Sequence, residues 1–280
     1  MVEFRKLSGH TGAEILGVDL ARPIAKSTAD GIMQILTDHC VVLLRGQTLD
    51  QQALVRATSQ FGICPDNIRP KAVQSEQQKK MLPQIMLVTN IREDGTPIGA
   101  HPDGEMWFHH DTIHLEVPHR ATLLHALAVP TYGGNTVFSN LFAAYDALPA
   151  DLKAALDGAK AYNAFLYGAN KKGDPHATKA LSFSIHPAIR THPGNGRKAI
   201  YVDRLMTHHL LDVAQAESDA VLERVFDFIE RDEFVYEHVW TKGDVVMWDN
   251  ISSIHARRDF PGDQIRLMWR TTLAGDARPS

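Results

Sequence analysis

The sequence has little cysteine. Its two cysteines, Cys40 and Cys64, are too few for a disulfide framework and do not form a C-x-x-C metal motif. We interpret them as small apolar residues of a reducing compartment. The sequence also lacks an apolar run near the roughly 20 residues of a membrane span, and its first residues, "MVEFRKLSGHTG", lack the apolar core of a secretion signal. These absences predict a cytoplasmic protein with no membrane partner.

A strong excess of charge of one sign is lacking as well. The net charge of the 280 residues is -4 and the isoelectric point is near 6.4. This balance does not indicate a nucleic-acid partner. No repeat, low-complexity tract or linker-like stretch divides the chain, and the 44% hydrophobic content can form a large core. We therefore expect a single domain over residues 1–280.

The sequence does contain many short apolar segments. They are rich in β-branched and aromatic residues and are separated by Gly, Pro, Asn or Asp, as is typical of strands. The predicted strands are "CVVLLRG", "QIMLVTN", "ATLLHALAVP", "NTVFSN", "RKAIYVD", "EFVYEHVW", "DVVMWDN" and "IRLMWRTTLAG". Many short strands in succession favour a sandwich or barrel over a doubly wound sheet. The predicted fold class is mixed α/β and mainly β.

A few amphipathic helices accompany these strands. The patterns predict helices over 27–40, 50–62, 140–149, 150–158 and 214–232, with Ser27 and Asp50 as N-caps of the first two. Two polar stretches, 65–83 and 167–182, are long for loops of a compact domain. Such loops are often active-site lids, although plain surface disorder is an equally common explanation.

The segment "EMWFHHDTIH" concentrates histidines of a histidine-rich chain. If it is a strand, His109 and Asp111 present an imidazole and a carboxylate on one side, while His110 points to the other side. His114 has no role that the pattern assigns. A His-x-Asp pair by itself is weak evidence for a metal, because two ordinary polar residues on a strand explain it equally well. The pair needs a third ligand.

A third ligand and two unusual arginines lie near the C-terminus. His255 follows the apolar strand of "GDVVMWDNISSIHARRDF" and is either a surface-loop residue or the third member of a two-histidine, one-carboxylate iron site. Arg266 and Arg270 are four residues apart, so on a strand both project to one face, about 13 Å from each other. They are either solvated on an edge strand or bind two acidic groups in a pocket.

Together these motifs resemble the Fe(II)/2-oxoglutarate-dependent dioxygenases of the taurine and 2,4-dichlorophenoxyacetate dioxygenase family. The matching features are His-x-Asp, "GGNT", "WDN…H", R-x-x-x-R, the early "GAEILGVDLARP" and the central "HPAIRTHPGNGRKAIYV". The resemblance implies a double-stranded β-helix (jelly-roll) core with flanking helices, and oxidation of a small acidic substrate by O2 with release of succinate and CO2. It also implies a homo-oligomer, a dimer or a tetramer.

The resemblance further implies roles for individual residues. His109, Asp111 and His255 would bind Fe(II), and Thr136 with Arg266 would bind the distal carboxylate of 2-oxoglutarate. Arg270 would face the acidic group of the substrate. Apart from the resemblance, Asn90 and the loop after it lie just before the ligand strand, so they either help to line the substrate pocket or are plain turn residues without a function.

The sequence also departs from the family pattern. Phe108 precedes the first ligand where relatives have tryptophan, and "FGICPDNIRP" lacks the polar residues that bind the sulfonate of taurine, which argues against taurine. Two alternatives remain at this point. They are a zinc hydrolase with the same three ligands and a non-catalytic metal-binding β-barrel.

Overall fold

The computed structural model describes residues 2–68, 71, 74–165 and 182–280. The described helices are α1 (Lys26–His39), α2 (Gln51–Ser59), α3 (Glu76–Lys79), α4 (Leu141–Ala147), α5 (Ala150–Leu156) and α6 (Gln215–Ile229), with a short 3-10 helix at Asp232–Phe234. None of these helices combines the length and the apolar character that crossing a membrane requires.

The described strands account for most of the regular structure. They are β1 (Phe4–Lys6), β2 (Ala13–Ile15), β3 (Val41–Leu44), β4 (Met86–Thr89), β5 (Arg92–Glu93), β6 (Thr96–Pro97), β7 (Met106–His109), β8 (Ala121–Ala128), β9 (Thr136–Asn140), β10 (Lys160–Phe165), β11 (Ser182–Pro187), β12 (Ile189–Thr191), β13 (Lys198–Ile200), β14 (Thr207–Leu210), β15 (Val235–His238), β16 (Val245–Asp249), β17 (Ser253–Arg257) and β18 (Leu267–Leu273). The mixed α/β, mainly β class is confirmed, and each predicted strand and helix is present, mostly with narrower bounds.

Two sheets form the framework around the site. The larger has the order β1-β2-β3-β16-β8-β18-β4, and the smaller has the order β15-β9-β17-β7. Neighbouring strands of both sheets are antiparallel, except for the parallel pair β2 and β3. Most neighbouring strands are distant in sequence; for example, β16 lies between β3 and β8.

The central strands of the larger sheet, β3 and β16, are buried on both faces. On one face, Leu43 and Trp248 join a core cluster with Phe138 of the smaller sheet, whose ring lies 5.6 Å from that of Trp248. On the other face, Val42 and Met247 join a second cluster that contains the apolar residues of α1 and α2. This two-sided burial explains why strands such as "VVLL" are apolar without alternation.

The two predicted N-caps had different outcomes. Asp50 caps α2, and its carboxylate accepts a hydrogen bond from the backbone N of Ala53 at 2.7 Å. The prediction for Ser27 was wrong, because α1 already begins at Lys26 and its N-cap Ala25 makes no side-chain cap bond. Ser27 therefore lies inside the first turn. The ion pair between Lys26 and Asp30, at 2.6 Å, joins the first turn to the next.

The two long polar stretches can be compared with the structure only in part. Stretch 65–83 contains the short helix α3, whose N-cap Ser75 accepts a hydrogen bond from the backbone N of Gln78. Residues 69, 70, 72 and 73 lie outside the described residues, as does stretch 167–182 apart from Ser182.

Candidate active site

The first two predicted ligands lie where β7 ends. His109 is the last residue of the strand, and Asp111 lies in the turn that follows it. The two side chains do lie close together, but the predicted reason, alternation along a strand, was wrong because the strand ends at His109. The turn itself brings them together, with His109 Nε2 at 3.8 Å from Asp111 Oδ1. Thr112, with a φ of 60°, bends the chain directly after Asp111.

His255 reaches the same point from the smaller sheet. It lies in the middle of β17, where it pairs with His109 across the two strands, and the imidazole centroids are 4.2 Å apart. The alternative of a surface-loop histidine is wrong. One ligand atom from each of His109, Asp111 and His255 lies within 4.8 Å of the others.

Hydrogen bonds orient two of these side chains. The backbone carbonyl of Trp107 accepts a hydrogen bond from Nδ1 of His109 at 2.9 Å, so the proton of the neutral imidazole is on Nδ1. Its Nε2 therefore has a free lone pair with which to bind a metal. Thr122 Oγ1 donates to Asp111 Oδ2 at 2.6 Å. Nδ1 of His255 has no hydrogen-bond partner among the described residues.

The electrostatics of the cluster keep it ready to bind a cation. Burial lowers the pKa of His109 and lowers the pKa of His255 well below its usual range, so both imidazoles are neutral near pH 7. Burial by itself raises the pKa of Asp111, but the charge of Arg270 opposes burial, with help from the hydrogen bond of Thr122, and the pKa lies far below its usual range. The set therefore offers two neutral nitrogens and one carboxylate.

His110 belongs to a separate network. Its side chain is fully buried, and Asp203 Oδ2 accepts hydrogen bonds from both its backbone N, at 3.1 Å, and its Nδ1, at 3.0 Å. Asp203 Oδ1 accepts from the backbone N of Met206 at 2.8 Å. Sequence reasoning missed Asp203, because only the fold brings it against "HHD".

The two predicted anion-binding arginines both line one cavity, beside the three candidate ligands. Arg266 precedes β18 instead of lying within it, and the pairing of β18 with β8 shifts by one residue after Leu267. Arg266 is buried and has no carboxylate partner among the described residues, and this burial lowers its pKa to about 9. Arg270 differs, since its Nη2 lies 2.7 Å from Asp111 Oδ1.

Thr136, at the start of β9, lines the same cavity. Its hydroxyl oxygen accepts a hydrogen bond from Nε1 of Trp240 at 3.0 Å, which leaves its own proton free to donate. Gly134, two residues earlier, has a φ of +66°, and a Cβ there would lie 3.3 Å from Cδ of Arg266. The "GGNT" motif thus allows the backbone to approach Arg266 closely.

The prediction that Asn90 lines the substrate pocket is not borne out, because it is not among the described residues that line the cavity. Its Oδ1 accepts from the backbone N of Arg266 at 2.9 Å, and its Nδ2 donates to the carbonyl of Gln264 at 2.8 Å. Asn90 therefore positions the backbone that carries Arg266. Burial of this amide against a neighbouring loop requires such partners.

Sequence reasoning also missed Arg257, a buried residue of the cavity wall. Its guanidinium donates to backbone carbonyls of the loop before β7, including that of His101 at 2.6 Å. Burial lowers the pKa of Arg257 to about 10. A signal was present, because Arg257 follows His255 by two residues and side chains alternate along a strand.

Known proteins are similar to this chain over most of its length. The model of the family described as "Taurine catabolism dioxygenase TauD, TfdA family" matches residues 3–272. A (S)-phenoxypropionate/alpha-ketoglutarate-dioxygenase of Sphingobium herbicidovorans is 32% identical over 69% of this chain and 73% of its own. An alpha-ketoglutarate-dependent sulfate ester dioxygenase of Pseudomonas putida is 30% identical over 98% of this chain and 90% of its own.

A solved structure of a taurine dioxygenase from Burkholderia xenovorans has the same fold. It superimposes with a TM-score of 0.80 and 28% identity, over 99% of this chain and 92% of its own. The span that the family model matches contains the positions of all candidate site residues described above. The chain belongs to the TauD/TfdA dioxygenase family and is an enzyme of the 2-oxoglutarate-dependent dioxygenase class.

Proposed function

We propose that this enzyme uses Fe(II), 2-oxoglutarate and O2 to oxidise a C–H bond of a small acidic organic substrate, with release of succinate and CO2. One observation carries the proposal. The cluster of His109, Asp111 and His255 shares a cavity with Arg266, a buried cation that has no carboxylate partner among the described residues. A zinc hydrolase or a non-catalytic barrel does not need that second feature, and family membership argues against both.

The three donors fit Fe(II). Two neutral imidazoles and one carboxylate form the facial set that leaves positions on the metal open. The hydrogen bond from His109 to the carbonyl of Trp107 fixes which imidazole nitrogen faces the cluster. Iron, when bound, supplies the activation of O2 at those open positions. The remaining work falls to the residues of this chain.

Arg266 and Thr136 are proposed to hold the distal carboxylate of 2-oxoglutarate. A guanidinium in an apolar wall is costly unless an anion meets it, and a carboxylate would restore the depressed pKa of Arg266 toward its usual range. The free hydroxyl proton of Thr136 adds a second donor. Asn90 and Gly134 keep Arg266 in position from behind.

Arg270 is proposed to bind the acidic group of the substrate. Its Nη2 is paired with Asp111, but its Nε is buried without a partner among the described residues, and its Nη1 lies 3.8 Å from Met86 Sδ. The guanidinium therefore keeps an edge for an anion. Carboxylate, sulfonate and sulfate groups would all suit this edge.

The two sheets are proposed to form a double-stranded β-helix, within a single domain over residues 1–280. The two-sheet arrangement and the superposition on a taurine dioxygenase support this proposal. In this arrangement His109 and His255 lie on the smaller sheet, and Arg270 of the larger sheet reaches Asp111 in the turn after β7. The apolar walls between the sheets would exclude water from the reacting C–H bond.

A spectroscopic experiment tests the proposal. Anaerobic protein loaded with Fe(II) should develop a visible metal-to-ligand charge-transfer band when 2-oxoglutarate is added. His255→Ala should abolish the band, and the control His209→Ala, on the separate strand β14, should keep it. No band in the wild type, or an unchanged band in His255→Ala, contradicts the assignment. Succinate release on addition of small acids then measures turnover.

A further inference from the structure

His114 is a buried polar residue of the cavity wall that the proposed function does not use. Its side chain is 2% exposed, and neither ring nitrogen has a hydrogen-bond partner among the described residues. His119 lines the same cavity, and its Nδ1 is also without a partner there. Buried polar atoms are ordinarily hydrogen-bonded. Unpartnered polar atoms in residues that line a cavity indicate groups whose hydrogen bonds a ligand completes.

The fold holds both imidazoles by contacts that do not use these nitrogens. The ring of His114 stacks on Phe165, with the centroids 5.1 Å apart and the planes inclined by 26°. The backbone carbonyl of His114 accepts from Ser182 Oγ at 3.3 Å, and Thr112 Oγ1 accepts from the backbone N of His119 at 2.8 Å. These contacts hold both rings in the cavity wall without using the unpartnered nitrogens.

The chemistry of these two rings suits an uncharged group. Burial lowers the pKa of His114 and of His119 to about 4, and the charge of Arg270 contributes to lowering both. Near pH 7 each ring therefore has one N–H donor and one acceptor nitrogen. Such a ring binds a hydroxyl, ether or carbonyl oxygen well, whereas a second anion would prefer a cation.

We propose that His114, assisted by His119, is a specificity-determining residue that binds an uncharged oxygen of the same substrate whose acidic group meets Arg270. The substrate class becomes a small organic acid that also contains an ether, hydroxyl or carbonyl oxygen, in contrast to an acid with a purely hydrocarbon body. This inference rests on the proposed function, since it assumes that Arg270 binds the acid.

Matched pairs of acids that differ only by an oxygen in place of a CH2 group test the inference. Suitable pairs are phenoxyacetate with 3-phenylpropanoate and butoxyacetate with heptanoate. The readout is kcat/KM for succinate release above the rate without substrate. The wild type should prefer the oxygen member of at least one pair by about ten- to one-hundredfold, as expected for one buried hydrogen bond.

Variants then assign that preference to His114. His114→Phe keeps the ring stack and removes both nitrogens, so the preference should fall to near one, chiefly through a higher KM for the oxygen member. His114→Leu replaces it where the phenylalanine variant does not fold, and His114→Asn should recover part of the preference. His125→Phe is the matched control, because His125 is also 2% exposed with an unpartnered Nδ1 but lies outside the cavity lining.

Different results overturn the two proposals. If the wild type forms the 2-oxoglutarate absorption band but prefers no oxygen member of any pair, the inference about His114 is wrong and the proposed function stands. An undiminished preference in both His114→Phe and His114→Leu also contradicts the inference. If the band itself is missing, the proposed function fails and the inference fails with it.

Discussion

At the scale of single residues, three arginines of one cavity have different partners. Arg257 is satisfied by backbone carbonyls, Arg270 is paired with Asp111, and Arg266 has no carboxylate partner among the described residues. A buried cation is costly when no anion neutralises its charge. We therefore expect Arg266 to be the arginine that binds 2-oxoglutarate. The same reasoning predicts that the variants of Arg266 and Arg270 differ in which ligand they lose.

Arg266→Ala should raise the KM for 2-oxoglutarate by about ten- to one-hundredfold, because one charge-assisted partner is removed. Arg270→Ala should instead raise the KM for the primary substrate by a similar factor. Steady-state kinetics with each ligand varied in turn measure both effects. Arg224→Ala, whose exposed side chain pairs with Asp151, is the control. Equal loss of 2-oxoglutarate affinity in both variants, with normal handling of the substrate, would refute the two-anion pocket.

Trp240 is a second residue whose effect can be predicted. Its Nε1 donates to Thr136 Oγ1, which directs the hydroxyl proton of Thr136 toward other acceptors. Trp240→Phe should therefore raise the KM for 2-oxoglutarate by about three- to tenfold, the effect of one neutral hydrogen bond. Thr136→Ala should cause at least as large an increase, and the double variant should be no worse than Thr136→Ala. Additive losses would show that Trp240 acts by another route.

At the scale of elements, the turn after β7 and the region around β14 depend on each other. His110 lies between two candidate ligands, and Asp203 holds both its backbone N and its imidazole. The network continues through Thr207, whose Oγ1 accepts a hydrogen bond from the backbone N of Asp203 and donates one to Asn163 Oδ1 at 2.7 Å. These buried hydrogen bonds fix the turn against the region around β14, while Nε2 of His110 has no partner among the described residues.

Asp203→Asn should loosen that turn, because its amide nitrogen cannot accept the hydrogen bonds that the carboxylate oxygens accept. The free energy of unfolding should fall by about 1–3 kcal/mol, and affinity for Co(II), read from its visible absorption, should fall about tenfold. Asp227→Asn is the control, since Asp227 is largely exposed in its ion pair with Arg204. Normal stability together with normal Co(II) affinity would exclude a positioning role for Asp203.

The sequence pattern predicted which segments form strands, but not where the strands end. Composition and spacing predicted the strands because buried strands need apolar, β-branched residues whatever their partners. The pattern could not show that β7 ends at His109, or that Arg266 lies just before β18. Strand ends depend on which neighbours supply hydrogen bonds, and those neighbours are distant in sequence.

At the scale of the whole molecule, the buried histidines make the stability of the fold depend on pH. Burial lowers the pKa of His114, His119, His125 and His186. The unfolded chain, with histidine pKa values near 6.5, therefore takes up protons before the folded protein does. The stability that these neutral histidines contribute is complete above about pH 6.5 and is lost as the pH falls toward 4.

The free energy of unfolding should consequently decrease between pH 7 and pH 5, by on the order of 1 kcal/mol per pH unit for each strongly shifted histidine. Urea unfolding at pH 7, 6 and 5 measures this slope. His119→Gln should make the slope shallower by one such increment, because one of the shifted groups is removed. A free energy of unfolding that stays constant from pH 7 to 5 would contradict the prediction.

The sequence by itself determined the fold class, the family and the two candidate histidine ligands with Asp111, because these depend on residue type and order. Only the tertiary structure decided how they act. It showed that a turn brings Asp111 to His109 and that Asn90 supports Arg266 instead of lining the cavity. It also showed that His114 lines the cavity with ring nitrogens that have no hydrogen-bond partner among the described residues. The physical reason is that burial and hydrogen-bond satisfaction depend on neighbours from other parts of the chain, which spacing along the sequence does not specify.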